Sequence, residues 1–96
     1  MVWEVEMEQY LLGIDIGTSA CKIAVFDRGG KAIAAANGSY PVYYPHPGWA
    51  EQNPEEWWDA ICSAVKEVLS HGSILPEQIA GIGIDGQSWS AIAVDR

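Results

Sequence analysis

The chain has 96 residues, 49% of them hydrophobic, which is enough for one small domain with a limited core. Its formal net charge of −8 argues against nucleic acid and anionic membranes as partners, because both require a basic surface. A bound nucleotide would therefore need a metal ion and local backbone donors.

Three short strands are predicted after a flexible lead-in over residues 1–9. Residues 10–15 form an apolar run that carries a single acid, Asp15, and residues 21–27 are rich in β-branched and aromatic side chains. The letters RGG then indicate a turn. KAIAAAN, at residues 31–37, completes an antiparallel three-strand meander.

A long loop, residues 38–53, leads into the clearest helix of the chain. Loops of this length in compact domains are usually functional or contact another part of the molecule. Asn53 can cap the helix, Pro54 suits its first position, and Glu56 follows three residues after the cap. An apolar stripe at helical spacing continues from there, and Gly72 can end the helix. The Glu-Gln pair before the cap is expected to fix the loop and the helix start.

Two further strands, over residues 79–84 and 90–95, complete a predicted order of β-β-β-α-β-β. The helical crossover makes the fourth strand parallel to a neighbour. Such a mixed sheet normally has helices on both faces, and one clear helix is visible. We therefore expect the chain to be a fragment of something larger.

The letters GIGIDG, residues 81–86, match a dinucleotide-binding motif, but their context does not fit. The glycines of that motif lie in a turn that opens a helix. Here Ile79, Ile82 and Ile84 place them inside a strand. We expect these glycines to let a neighbouring helix pack close to the sheet.

The stretch GIDIGTSACK suits a phosphate site of another geometry. Asp15 ends a strand, and Gly17, Thr18 and Ser19 form a tight connection whose successive N–H groups can converge on phosphate oxygens. Asp15 would face Mg²⁺ through water, and Lys22 would add a positive charge if it points back toward the turn. An ordinary hairpin, in which Asp15 caps its own turn, explains the same residues equally well.

Three motifs lie in order along the chain: GIDIGTSACK, then PGWAEQNPEEWW, then IAGIGIDGQSWSAIAVD. Together they resemble the N-terminal part of the FGGY carbohydrate kinases, within the actin, Hsp70 and hexokinase superfamily. The resemblance covers roughly residues 10 to 95. It implies an α/β fold with a ribonuclease H-like mixed sheet, present as a partial N-terminal kinase domain over residues 10–96.

Within this family the pattern is most similar to the xylulokinases. The resemblance implies transfer of the ATP γ-phosphoryl group to a hydroxyl of a ketose such as D-xylulose, with ATP and Mg²⁺ as cofactors. A kinase for another ketose or a polyol, such as ribulose or glycerol, is one alternative, and a non-catalytic binding or assembly module is another. This chain alone is not expected to be active, because the family's catalytic base and second domain lie beyond it.

The resemblance also implies roles for individual residues. Asp15 would place the metal and the nucleotide, and the phosphate contacts would come from Gly17, Thr18, Ser19 and Lys22. The positions implied to contact the sugar are Gln87, Ser88 and Trp89. At the last two positions xylulokinases carry methionine-histidine and glycerol kinases arginine-glutamate, so the exact sugar stays open. Trp89 could stack against a sugar or fill the core of a strand.

Partners and location follow from composition and from the same resemblance. No apolar run approaches the roughly 20 residues of a membrane span, and the acidic start lacks the features of a secretion signal. Cys21 and Cys62 have no metal-ligand spacing, so reduced thiols in a cytoplasmic protein are expected. The expected partners are a sugar and ATP. The intact protein is expected to form a homodimer, and the fragment to self-associate through exposed sheet edges.

Overall fold

The computed structural model of the chain describes residues 7–87, 91–93 and 95. These residues form a four-stranded mixed sheet with one long helix on one face. The elements in chain order are β1 Tyr10–Ile16, β2 Ala20–Phe26, β3 Ala32–Ser39, α1 Pro54–His71, a short 3-10 helix Pro76–Gln78, and β4 Ile79–Asp85.

The strands are ordered β3-β2-β1-β4 across the sheet. β1 is antiparallel to β2, β2 is antiparallel to β3, and β1 is parallel to β4. The predicted meander and the parallel fourth strand are therefore confirmed, and with them the mixed α/β sheet. Because β1 and β4 run in the same direction, their carboxyl ends meet at one edge of the sheet.

The predicted fifth strand is not formed by its described residues. Residues 91–93 and 95 carry no regular secondary structure, and Ser90 and Val94 lie outside the described residues. Alternating apolar residues suit a strand, but a strand also needs a hydrogen-bonding neighbour, which alternation cannot supply. Of the predicted lead-in, residues 1–6 lie outside the described part, whereas the Glu8 carbonyl accepts a hydrogen bond from Gln78 Nε2 at 3.1 Å.

The core lies between α1 and the middle of the sheet. The burial pattern of β2 alternates, so Cys21, Ile23 and Val25 are buried against the helix while Lys22 faces the opposite side. The other buried hydrophobic residues are Leu12, Tyr40, Ile61, Ala64, Val68 and Ile74. Cys21 is thus a buried free thiol. Among the described residues, no helix has the length and apolarity needed to cross a bilayer.

The ends of α1 follow the sequence prediction. Asn53 Oδ1 accepts a hydrogen bond from the Glu55 N–H at 3.0 Å, and Pro54 begins the helix. The N–H of Gly72, the C-cap residue, donates to a carbonyl of the last turn. These caps satisfy backbone groups that a helix leaves unpaired at its ends.

The proline-rich loop before α1 is tied down at two points. The backbones of Tyr43 and Glu51 exchange hydrogen bonds of 2.7 and 2.8 Å. The Tyr43 hydroxyl also donates to the Glu56 carboxylate at 2.7 Å. These contacts hold the loop against the start of the helix, and so hold Gln52, which lies between the two tied segments.

The glycine that permits close helix packing is in β3 and not in β4. A Cβ at Gly38 would lie 2.9 Å from the Ala60 carbonyl oxygen on α1 and 3.1 Å from Cys21 Sγ. A Cβ at Gly83 would have no atom within 4 Å. The expectation that the GIGIDG glycines admit a helix is therefore wrong for Gly83, because α1 packs on β2 and β3.

We predict that Gly38→Ala lowers the free energy of unfolding by about 1–3 kcal/mol, because the new methyl overpacks the α1–sheet contact. Gly83→Ala is the matched control in an open strand position. It should leave the free energy unchanged or raise it by up to about 1 kcal/mol. Urea denaturation of both variants measures the difference, and equal stabilities would contradict this account of the packing.

Candidate functional site

A row of charged side chains crosses three strands near the carboxyl ends of β1 and β4. Asp15 is in register with Asp85 on the parallel neighbour and with Lys22 on the antiparallel one. Residues in register across neighbouring strands share a face of the sheet. Lys22 faces away from α1, so all three side chains lie on the open face.

Small residues form the floor of a depression beside this row. Gly13 is in register with Gly83 on one side and with Ala24 on the other. The depression has a volume of about 450 Å³ and is lined by these residues together with Asp15, Lys22 and Asp85. An acidic and basic rim around a nearly apolar hollow can receive a polar ligand at its edge.

The turn that joins β1 to β2 lies next to the row. The Gly17 N–H donates to the Ala20 carbonyl at 2.9 Å, so this amide belongs to the hairpin. A Cβ at Gly17 would approach the same oxygen to 2.8 Å, which only glycine avoids. Within the described part of the chain, the Thr18 and Ser19 amides have no acceptor. These two N–H groups are the turn's available anion donors.

The carbonyl oxygen of Gly17 accepts two side-chain hydrogen bonds from distant parts of the chain. Tyr40, directly after β3, donates its hydroxyl at 2.5 Å. Gln87, two residues after β4, donates Nε2 at 3.1 Å. The turn is therefore held by the ends of two other strands.

The next two carbonyls of the turn are held in the same way. Gln52 Nε2 donates to the Thr18 carbonyl at 2.5 Å, and the backbone N–H of Tyr40 donates to the Ser19 carbonyl at 3.1 Å. Gln87 Nε2 also lies 3.4 Å from Gln52 Oε1. We call Tyr40, Gln52 and Gln87 the carbonyl clamp. It connects the turn to β3, to the loop before α1 and to the segment after β4.

The sequence-predicted site residues fall into three groups. Asp15 and Lys22 share the open face of the sheet, and Gly17, Thr18 and Ser19 form the adjacent turn. Gln87, expected at the sugar, contacts the turn through its amide. Ser88 and Trp89 lie outside the described residues.

Three further residues of the site were not identified from the sequence. Asp85 carried a usable signal, because an acid at the end of a strand parallel to β1 lies beside Asp15. Tyr40 and Gln52 carried none, because their partners are 23 and 34 residues away along the chain.

The donor set fits a hydrated magnesium ion. Mg²⁺ keeps several waters and is usually bound through one or two carboxylates together with substrate phosphates. Asp15 and Asp85 offer two carboxylates at one edge, next to amides suited to phosphate. The described residues contain no cluster of three or more histidine, cysteine or acidic side chains that could enclose an ion. Two carboxylates beside amides suited to phosphate match an ion that is shared with a phosphate ligand.

Burial raises the pKa of Tyr40 above its ordinary value of 10.0, and the electrostatic interactions of its hydroxyl with Cys21 and Asp15 raise it further. All three causes oppose ionisation of the hydroxyl. Tyr40 therefore stays protonated, and remains a donor to the Gly17 carbonyl, over the neutral pH range.

Comparison with known proteins identifies a family that matches most of this chain. Residues 10–96 match the model of the FGGY family of carbohydrate kinases, N-terminal domain. A glycerol kinase of Thermococcus gammatolerans is 42% identical over 90 residues, which cover 94% of this chain and 18% of the relative. The chain thus spans about a fifth of the length of this curated relative.

Two solved structures have the same arrangement. A gluconate kinase from Lactobacillus acidophilus superposes with a TM-score of 0.76 at 30% identity, over 84% of this chain and 16% of that one. A ligand-bound xylulose kinase from Lactobacillus acidophilus superposes with a TM-score of 0.74 at 30% identity, over 82% of this chain and 16% of that one.

We predict that Tyr40→Phe lowers the free energy of unfolding near neutral pH by about 0.5–1.5 kcal/mol, because the Gly17 carbonyl loses a donor. It should also flatten the alkaline limb of the stability curve. The folded-state pKa lies above the unfolded value of 10.0, so the contribution of Tyr40 is complete below that pH and is lost as pH rises through the folded pKa.

Urea denaturation of both proteins over a range from neutral to strongly alkaline pH measures this effect. Tyr44→Phe is the control, because the Tyr44 side chain is 73% exposed and its hydroxyl makes no hydrogen bond within the described residues. Parallel stability curves for the wild type and Tyr40→Phe would show that the hydroxyl does not titrate as described.

Proposed function

The chain belongs to the FGGY family of carbohydrate kinases, and from this premise we propose that the protein carrying it transfers the γ-phosphoryl group of ATP to a hydroxyl of a small polyhydroxylated substrate. The observation that carries the proposal is the position of Asp15, Lys22 and Asp85 beside the free amides of the turn. A hairpin without a ligand would not require charged side chains and unpaired amides to lie next to each other.

Each residue of the site has a distinct task in this proposal. The amides and hydroxyls of Thr18 and Ser19 donate to phosphate oxygens, and Gly17 lets the backbone approach them. Lys22 adds positive charge, and Asp15 holds Mg²⁺ through water. When bound, the ion neutralises charge on the phosphates. Phosphoryl transfer depends mainly on such positioning and electrostatic stabilisation.

The proposed acceptor is a ketose such as D-xylulose, in keeping with the xylulose kinase among the structural neighbours. Glycerol is the second candidate, because a glycerol kinase is the curated relative with 42% identity reported above. Ser88 and Trp89 remain the proposed acceptor-side positions, directly after Gln87, whose amide contacts the turn. Ser88 and Trp89 match neither the methionine-histidine of xylulokinases nor the arginine-glutamate of glycerol kinases, so these two positions do not rank the two acceptors.

We also propose a cytoplasmic location and a homodimer for the intact protein.

The alternative of a different class is a binding or assembly module without catalysis. The two differ in whether ATP and an acceptor are both consumed, so one assay separates them.

We predict acceptor-dependent ADP release when the protein carrying this chain is given ATP, Mg²⁺ and D-xylulose. The same coupled assay with D-ribulose, glycerol and gluconate ranks the alternative acceptors by kcat/KM. ADP release with glycerol alone would replace the ketose proposal. ATP binding without ADP release for any acceptor would instead identify a non-catalytic module.

We predict that Asp15→Asn lowers kcat by about a hundredfold or more, because the nucleotide and its metal lose their anchoring carboxylate. Asp59→Asn, on the exposed part of α1, is the matched control and should leave kcat unchanged. Circular dichroism of both variants checks that they fold. Unchanged turnover in a folded Asp15→Asn protein would refute the metal role of Asp15.

A further inference from the structure

We propose that Gln52 and Gln87 are positioning residues of the phosphate site. By holding the carbonyl oxygens of Gly17 and Thr18, they aim the N–H groups of Thr18 and Ser19 at the bound phosphate. This inference rests on the proposed function, since it concerns the same phosphate site. It assigns the Gln87 amide to the turn and not to the acceptor.

The geometry of the peptide unit connects the carbonyls to the amides. A trans peptide is planar, and its C=O and N–H bonds point in opposite directions. The described residues contain no cis peptide. The donors to the Gly17 carbonyl therefore set the direction of the Thr18 N–H, and the donor to the Thr18 carbonyl sets that of the Ser19 N–H. Both amides point away from the clamp.

The turn needs this support because its own backbone holds it weakly. One backbone hydrogen bond, from the Gly17 N–H to the Ala20 carbonyl, closes the hairpin. Glycine imposes little restriction on rotation of the peptide unit that follows it. A flip of the Gly17–Thr18 unit would replace the Thr18 N–H by a carbonyl oxygen, which repels phosphate. Side-chain donors on the Gly17 carbonyl disfavour that flip.

A primary amide is the group that the Gln52 position requires. Its Nε2 donates to the Thr18 carbonyl while its Oε1 faces Gln87 Nε2 at 3.4 Å. A carboxylate is acceptor-only, so a glutamate here would place an oxygen against the Thr18 carbonyl. Gln87 Nε2, in turn, lies 3.1 Å from the Gly17 carbonyl. The two glutamines thus hold two consecutive peptide units.

The test uses the protein carrying this chain, with Gln52→Met and Gln87→Met. Methionine keeps the length of the side chain and removes the N–H donor. We expect the KM for ATP to rise about tenfold in each variant, as for a lost phosphate hydrogen bond. The KM for the acceptor should stay within about twofold of the wild-type value in both variants. The two amides contact the turn and not the acceptor, so neither variant loses a direct contact to it.

Gln78→Met is the matched control. Gln78 is also half-buried, donates Nε2 to the Glu8 carbonyl at 3.1 Å, and accepts from the Leu75 N–H at 2.9 Å through Oε1. It therefore loses the same kinds of hydrogen bond away from the turn. An equal rise in the KM for ATP in Gln78→Met would mean a general loss of stability and would overturn the proposal.

A second readout does not depend on turnover. We expect the amide ¹H and ¹⁵N shifts of Thr18 and Ser19 to move in both clamp variants and to stay in place in Gln78→Met. If the wild-type protein releases no ADP, the proposed function is wrong. The amide shifts of Thr18 and Ser19 then still show whether Gln52 and Gln87 orient the turn. Unmoved shifts would overturn the proposal.

Two more results are decisive. A Gln87→Met protein whose loss is confined to the KM for the acceptor would place Gln87 at the acceptor and overturn its assignment to the turn. If a methionine variant does not fold, Gln52→Glu or Gln87→Glu replaces it, because glutamate keeps length and polarity but lacks the donor. Unchanged KM for ATP in a folded glutamate variant would equally overturn the proposal.

Discussion

The hydrogen bonds on the carbonyl oxygens of the β1–β2 turn are the constraint on which the rest of the site depends. Without them, GIDIGTSACK would form an ordinary hairpin whose peptide units could rotate. With the clamp in place, the carbonyls of Gly17, Thr18 and Ser19 are occupied on one side of the turn. The amides of Thr18 and Ser19 are left to the other side, beside the carboxylates of the open face.

The topology of the sheet explains why the clamp can form. Tyr40 follows β3, the strand antiparallel to β2, so it returns to the same end of the sheet as the turn. Gln87 follows β4, which is parallel to β1 and therefore ends beside it. The tied loop before α1 adds Gln52 from a third direction. Three chain segments thus converge on one turn, two of them because of strand direction and the third because its loop is tied to the helix start.

The two faces of the sheet have different occupants. α1 covers β2 and β3 and leaves β4 uncovered in the described structure, so Ile82 is 60% exposed and Ile84 is 69% exposed. The opposite face carries the charged row and a hollow floored by Gly13, Gly83 and Ala24. The division follows from side-chain alternation, which on β2 sends Cys21, Ile23 and Val25 to the face under α1 and Lys22 and Ala24 to the other.

Features that depend on neighbours along the chain could be read from the order of the amino acids. The meander, the parallel fourth strand, the limits of α1, the strand context of GIGIDG and the turn after Asp15 were all predictable from periodicity, caps and glycine placement. Contacts between distant groups became apparent only in the folded chain: Gln52 on Thr18, Gln87 and Tyr40 on Gly17, and Gly38 under α1. The physical reason is that propensity and periodicity act over a few residues, whereas a hydrogen-bond partner is selected by its position in space once the strands have paired.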